Sequence, residues 1–232
     1  MITTLLFDMG NVLIHYDPQH FLERMGVTDP QDQELLLREI SHSPLWPKLD
    51  EGEMTEGELE ALVLPRLPER LHGYAHQLIF HWDDPIEPVP GMAALLEDCK
   101  RAGLKLYLLS NASRRQPEYW GNIPGSALFD GTVVSAFYRC VKPQREIYQV
   151  VLEKFGLSPE TCLFVDDVAE NIAGAQAAGI QAVPTLMIAK QGEVIFQQAG
   201  ALQASDLDDL IAQAKALDLA AAKAQQAAQE QQ

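Results

Sequence analysis

Predicted strands and helices alternate through the second half of this chain. Short apolar, β-prone segments cover residues 104–109, 132–135 and 162–165, and helical segments cover residues 92–102, 143–155 and 168–178. This alternation of strands and helices predicts a parallel sheet covered by helices on both faces. Residues 2–7 add an apolar strand at the N-terminus. The predicted fold class is α/β.

A helical insertion separates the first strand from the rest of the sheet. Residues 16–88 show helical periodicity interrupted by prolines, and Thr55 followed by Glu58 is a capping-box start. Proline-rich residues 83–90 predict a linker at the end of this insertion. We therefore expect a core made of residues 1–15 and 89–183, and a helical domain made of residues 16–88.

Polar residues directly follow three of the predicted strands. Asp8 follows the first, Ser110 ends the second, and Asp166 with Asp167 follows a later one. The carboxyl ends of parallel strands open onto one crevice, so these side chains are expected to converge. Aspartates at two strand ends suit Mg²⁺, which prefers oxygen ligands and takes one or two carboxylates. The pattern indicates a metal-assisted site.

This set of residues can perform phosphoryl transfer. A metal offsets the repulsion between a carboxylate and a phosphate dianion, so the carboxylate can attack phosphorus and form an aspartyl-phosphate. Ser110 can donate a hydrogen bond to the phosphoryl oxygens, and Lys142, just before a predicted helix, adds positive charge. Phosphoryl transfer depends mainly on positioning and charge stabilisation, and these residues supply both.

Four segments together resemble the motifs of the haloacid dehalogenase superfamily. They are residues 7–13, 108–111, 141–143 and 164–171, in the family's order and spacing. Residues 16–88 resemble the family's helical C1 cap. The residues of the four motifs are most similar to those of the branch that contains bacterial α-glucose-1-phosphate phosphatases. The resemblance implies a Rossmann-like fold and a magnesium-dependent phosphatase.

The resemblance also implies a set of metal ligands. Asp8 corresponds to the family's nucleophile, which also binds the metal. Gly10 corresponds to the residue whose backbone carbonyl binds the metal. Asp167 aligns with the usual carboxylate ligand, and Asp166 is expected beside it in a supporting position.

The phosphate-binding residues follow from the same resemblance. Ser110, with Asn111 beside it, corresponds to the phosphate-binding position of the second motif. Lys142 corresponds to the third-motif lysine, which binds the phosphoryl group and takes part in catalysis.

The sequence departs from the family's pattern at Gly10. Most phosphatases of the family have a second aspartate there, which protonates the leaving group and later activates water. Glycine keeps the carbonyl but cannot transfer a proton, and such help is typically worth about 10²–10⁴ in rate. Slow turnover, a substitute acid, or a substrate whose leaving group needs little help are the alternatives. Asp17 and His15, where the chain enters the cap, are candidate substitutes.

The C-terminal part carries a second resemblance. Residues 182–202 and the predicted helix 205–217 are similar to the second half of thioredoxin, with a hairpin that turns at residues 191–192. No cysteine follows Cys162, so thiol–disulfide exchange is not supported. We expect residues 184–218 to form this hairpin and helix, whose free strand edge is a candidate surface for self-association. Residues 219–232 form an Ala/Gln-rich tail.

Composition restricts the partners. The formal net charge of −16 disfavours nucleic acid and membrane surfaces. Three cysteines without CxxC spacing, and an N-terminus without a basic targeting segment, indicate a reducing cytoplasm. The expected partner is a small phosphorylated metabolite, with a hexose 1-phosphate as one candidate.

Two other functions are compatible with these residues. A metal-independent 2-haloacid dehalogenase also uses an aspartate nucleophile and does not need the missing acid, although the Asp166-Asp167 pair suits a cation. A binding protein with a vestigial site is the non-enzymatic alternative. A phosphomutase is disfavoured because it needs the proton transfer that Gly10 cannot provide.

Overall fold

The computed structural model describes residues 2–184, 186–190 and 193–198. Its centre is a five-stranded sheet, and all neighbouring strands run parallel in the order β3-β2-β1-β4-β5. The strands are β1 (Thr4–Phe7), β2 (Lys105–Ser110), β3 (Gly131–Val134), β4 (Cys162–Asp166) and β5 (Gln181–Pro184). The predicted α/β class with a parallel sheet is confirmed.

Helices surround the sheet and form a second layer beside it. They are α1 (Pro18–Arg24), α2 (Pro30–Glu39), α3 (Trp46–Asp50), α4 (Glu56–Val63), α5 (His72–Phe80), α6 (Met92–Arg101), α7 (Gln116–Trp120), α8 (Arg145–Phe155) and α9 (Ala169–Ala177). Side chains of β1 alternate between two cores, as a strand period of two requires. Leu6 packs in the core with Ile147 of α8, and Phe7 packs in the core with Leu96 of α6.

The strand β1 lies at the middle of the sheet, between β2 and β4. Phe7 pairs with Leu108 on one side and with Val165 on the other. The Asp8 backbone N–H then donates to the Val165 carbonyl at 2.9 Å. The three strand ends therefore lie side by side at one edge.

Helices α1 to α5 form the insertion between β1 and α6. The chain leaves and re-enters the core at adjacent points, where His15 N–H donates to the Glu87 carbonyl at 2.8 Å and Val89 N–H donates to the Leu13 carbonyl at 2.9 Å. Residues 16 and 88 lie next to these two bonds, and the division into core and cap at these positions remains a prediction.

Two local predictions for the cap can be compared with the structure. Thr55 caps α4, and Glu58 returns the bond, so the predicted capping box is present. The linker from residue 83 to residue 90 contains no helix and no named strand. Arg24 of α1 binds this linker, donating to the Trp82 and Pro85 carbonyls at 3.0 Å each.

A separate pair of strands follows the main sheet. Strand β6 (Leu186–Lys190) pairs antiparallel with β7 (Glu193–Gln198), on either side of the predicted turn. The predicted helix 205–217 and the tail from residue 219 lie outside the described residues. Every helix in the described part of the chain is too short or too polar to cross a membrane.

Candidate active site

Four polar residues converge at the carboxyl edge of the sheet. Asp8 follows β1, Ser110 ends β2, and Asp166 and Asp167 lie at the end of β4. One carboxylate oxygen from each of the three aspartates lies within 4.8 Å of the others. Asp8, Ser110 and Asp167 line one cavity of about 390 Å³ between the sheet edge and the cap. The predicted convergence is therefore present in the structure.

Lys142 joins two of these carboxylates from below the cavity. Its Nζ lies 2.7 Å from Asp8 Oδ1 and 2.6 Å from Asp166 Oδ2, and its side chain is buried. Asn111 holds the lysine backbone on both sides: Lys142 N–H donates to Asn111 Oδ1 at 2.8 Å, and Asn111 Nδ2 donates to the Lys142 carbonyl at 3.0 Å. This two-point contact holds the backbone of Lys142, and the carboxylates of Asp8 and Asp166 hold its ammonium. The amide of Asn111 thus acts on Lys142 in this structure.

Asp166 and Asp167 have different surroundings. Asp166 is fully buried, and its oxygens accept from Lys142 and from Asn171 Nδ2 at 3.0 and 3.1 Å, and from Val168 N–H at 2.8 Å. Asp167 is half-buried, accepts from Asn11 Nδ2 at 3.2 Å and faces the cavity. Asp167 is therefore the one available to a ligand, and Asp166 supports Lys142 from behind.

The cluster carries excess negative charge. Burial raises the pKa of Asp8 to about 6, against the lowering effect of the Lys142 ammonium, and the Asp166 charge raises it further. Burial also raises the pKa of Asp167. Burial alone would lower the pKa of the Lys142 amine. The nearby carboxylates of Asp8 and Asp166 outweigh this effect, and the pKa of the amine is raised. Three carboxylates beside one ammonium form an all-oxygen donor set with charge left to neutralise, which fits a divalent cation such as Mg²⁺.

Aromatic and aliphatic side chains of the cap form the opposite wall of the cavity. They include Tyr16, Trp46, Leu49, Ile79 and Trp82. Trp120, in contrast, packs against Phe129 outside the cavity. Two of the chain's three tryptophans therefore line the cavity.

The candidate proton donors from the sequence do not face the cavity. Asp17 is exposed and caps α1, accepting from Gln19 N–H at 2.9 Å, and His15 is exposed on the chain entering the cap. Neither lines the cavity, so the sequence interpretation was wrong for both. Two cap acids that the sequence did not single out, Asp50 and Glu56, line it instead. No sequence motif contains Asp50. The one local signal is Gly52 two residues later, since a glycine can adopt the left-handed backbone conformation of a turn.

The fold combines a parallel sheet, aspartates at its carboxyl edge and a helical insertion. These features define an α/β enzyme whose active site is built from carboxylates. The model of the haloacid dehalogenase-like hydrolase family matches residues 2–179. The chain belongs to this family and is a hydrolase.

Known proteins similar to this chain include phosphatases and a dehalogenase. The sesquiterpene phosphatase astK of Aspergillus oryzae is 28% identical over 183 residues, which cover 75% of this chain and 85% of astK. The phosphorylated carbohydrates phosphatase of Thermotoga maritima is 24% identical, with 85% of this chain and 91% of that protein covered. The L-2-haloacid dehalogenase structure from Xanthobacter autotrophicus has a TM-score of 0.60 and 21% identity, covering 83% of this chain and 80% of that one. The last likeness concerns the fold alone.

Proposed function

We propose that this protein is a magnesium-dependent phosphatase that hydrolyses a small phosphorylated metabolite through an aspartyl-phosphate on Asp8. The observation that carries the proposal is the position of Asp8 at the cavity floor, with its Oδ1 2.7 Å from Lys142 Nζ and its oxygens beside those of Asp167. The phosphatases among the relatives support the same class of reaction.

Each residue at the cavity floor has a role in this proposal. Asp8, Asp167 and the Gly10 carbonyl would hold Mg²⁺, which supplies positive charge against the phosphoryl oxygens when bound. Ser110 donates to a phosphoryl oxygen from the end of β2. Lys142 neutralises charge on the phosphoryl group while Asp8 attacks phosphorus.

Asn111 and Asp166 act through Lys142 in this proposal. Asn111 binds the lysine backbone, and Asp166 binds its ammonium at 2.6 Å. Asn111 and Asp166 thereby position the Lys142 ammonium toward the phosphoryl group. We propose this positioning role for Asn111 beside the substrate-binding role expected from its motif.

The cavity indicates a substrate without a second anionic group. Among the described residues, neither lysine nor arginine lines the cavity, so a carboxylate or a second phosphate would meet no permanently charged side chain there, and His42 is the one basic side chain of the lining. The aromatic side chains of the cap and the carboxylates of Asp50 and Glu56 suit an uncharged, hydroxyl-bearing group. A hexose 1-phosphate, as in the glucose-1-phosphatase branch, meets this description.

Dehalogenase activity is the second candidate function. A structural neighbour of this fold is a dehalogenase, and that chemistry also needs an aspartate nucleophile. The cluster of three carboxylates weighs against it, because a metal-independent reaction gains nothing from this excess negative charge.

A metabolite screen with and without Mg²⁺ tests the proposal. We expect phosphate release that requires Mg²⁺, stops with EDTA and is lost in Asp8→Asn. Asp98→Asn, which removes an exposed acid of α6, is the matched control and should behave as wild type. Wild type but not Asp8→Asn should bind beryllofluoride in a one-to-one ratio. Phosphate release that persists in Asp8→Asn, or chloride release from 2-chloropropionate without metal, would contradict the proposal.

We also propose a cytoplasmic location and self-association through the edge of β6 or β7. Three free cysteines, two of them buried, suit a reducing compartment. Light scattering of the full chain beside a chain that ends at residue 183 measures the contribution of the C-terminal segment to association.

A further inference from the structure

The cap wall contributes acidic residues to the cavity that holds the nucleophile. Asp50, the last residue of α3, lines the same cavity as Asp8. Among the described residues, none donates a hydrogen bond to the Asp50 carboxylate. The other acids of the cavity are engaged, since Glu56 accepts from Ser113 Oγ and Asp167 accepts from Asn11. Among the carboxylates that line the cavity, Asp50 is thus the one that accepts no hydrogen bond from the described residues, and it lies outside the proposed metal ligands Asp8 and Asp167.

The backbone of Asp50 is tied to the core of the protein. Ser135 Oγ, at the end of β3, donates to the Asp50 carbonyl at 2.6 Å. The same hydroxyl accepts from Ala112 N–H at 3.0 Å, two residues after Ser110. Asp50 is therefore held by a chain of bonds that leads to the phosphate-binding loop. Its carboxylate is left free because the anchor uses only the main chain.

Gly52 provides a second anchor. Its φ is +66°, in the left-handed region, and a Cβ at this position would overlap the carbonyl oxygen of Ala136. The cap backbone thus touches the core backbone here without a side chain between them. Two anchors within three residues fix the distance between Asp50 and the cavity floor.

The surroundings of Asp50 also suit proton transfer. Burial, and then the charge of Asp8, raise the pKa of Asp50 to about 7, with Lys142 opposing and Glu51 and Glu56 adding to the rise. A general acid or base works best when its pKa lies near the working pH. Asp50 can therefore be either protonated or ionised at neutral pH.

We propose that Asp50 is the catalytic residue that protonates the leaving group and then deprotonates the attacking water, in place of the acid missing at Gly10. This inference rests on the proposed phosphatase function. In the first step an Asp8 oxygen bonds to phosphorus, the bond from phosphorus to the ester oxygen breaks, and that oxygen takes the Asp50 proton and leaves as an alcohol. In the second step Asp50 takes a proton from water, the water oxygen bonds to phosphorus, and the bond to Asp8 breaks. Inorganic phosphate leaves, and Asp8 returns as a carboxylate.

Two esters of similar shape separate these steps. Benzyl phosphate needs a proton on its leaving group, whereas p-nitrophenyl phosphate does not. With Mg²⁺ present, we expect Asp50→Asn to lower kcat/KM for benzyl phosphate by about 10²–10⁴ and to lower it far less for p-nitrophenyl phosphate. The variant should also release p-nitrophenol in a burst, because breakdown of the aspartyl-phosphate loses its base.

The pH profile and two further variants complete the test. For wild type, kcat/KM with benzyl phosphate should fall at high pH as Asp50 loses its proton, and this limb should disappear in Asp50→Asn. Asp50→Glu, which keeps an acid, should recover part of the activity and the limb. Glu53→Gln, which removes an exposed acid of the same segment, should match wild type.

The outcomes distinguish this inference from the proposed function. If wild-type turnover depends on Asp8 but Asp50→Asn lowers both esters equally, or neither, Asp50 is not the proton donor and the phosphatase proposal stands. If wild type shows no turnover that Asp8→Asn abolishes, both proposals fail. Thermal unfolding of each variant verifies that losses do not come from misfolding.

Discussion

The two walls of the cavity are built in different ways. On the core wall, Lys142 bridges Asp8 and Asp166, and Asn171 binds Asp166, so these buried charges have partners. On the cap wall, aromatic side chains line the cavity together with two acids, Asp50 and Glu56. Glu56 accepts from Ser113 Oγ, whereas Asp50 has its backbone anchored and its carboxylate accepts no hydrogen bond from the described residues. A buried charge that loses its partner is strongly destabilising, so the charged residues of the core wall must be kept together. The cap wall leaves its polar group available to the substrate.

The largest expected effect comes from breaking the core wall at Lys142. Lys142→Met leaves the buried Asp8 and Asp166 carboxylates without their cation, which should destabilise the protein by about 3–5 kcal/mol. Loss of a charge that stabilises the phosphoryl group should lower kcat by on the order of 10³-fold. Denaturant unfolding and steady-state kinetics measure the two effects. Lys48→Met, at an exposed lysine of the cap, is the control and should change neither.

The unpaired acid of the cap wall should affect stability in the opposite direction. The folded-state pKa of Asp50 is raised from 3.8 to about 7, so the folded protein holds a proton that the unfolded chain releases. Wild-type stability should therefore fall as pH rises from about 4 to about 7. Asp50→Asn lacks this dependence and should be more stable than wild type at pH 8 by roughly 2–4 kcal/mol, with the gap closing near pH 4. Chemical unfolding in EDTA at several pH values measures it, and a constant gap would contradict the assignment.

A smaller effect is expected from Gly52→Ala, which should move the cap wall away from the core wall without changing the side chains that line the cavity. Gly52→Ala places a Cβ against the Ala136 carbonyl at a positive φ, so the cap must shift, at a cost of about 1–3 kcal/mol. Turnover should fall, while beryllofluoride binding by Asp8 on the core wall persists. Gly57→Ala in α4, where a Cβ meets nothing within 4 Å, should be neutral or slightly stabilising. Equal behaviour of the two variants would show that the contact at Gly52 does not hold the cap.

The core wall could be predicted from the sequence because its residues follow strands. Asp8, Ser110 and Asp167 each come directly after an apolar β-prone segment, and parallel strands place such residues at one edge. The supporting place of Asp166 came from the family resemblance, and its hydrogen bonds agree with it. Val168 stands at the N-cap of α9, and Asp166 accepts from the Val168 N–H.

The cap wall could not be predicted in the same way. Asp50 reaches the cavity because Ser135 and Ala136, more than eighty residues later, bind its backbone segment, and no local pattern encodes that contact. The start of α8 was also missed by two residues. The helix was predicted from residue 143 and begins at Arg145. Helix ends fray, so a difference of one or two residues at an end is common.

The main-chain contact at Gly52 bears on how such enzymes diversify. The distance between the cap and the cavity floor is set by the contact of Gly52 with the Ala136 carbonyl, so we expect it not to depend on which aromatic rings line the cavity. Tyr16, Trp46 and Trp82 should therefore tolerate exchange for side chains of other shapes while the cap stays at the same distance from the floor. A library that randomises those three positions and retains Gly52 should yield altered substrate preference with the chemistry preserved. The same library built on Gly52→Ala should yield few active members.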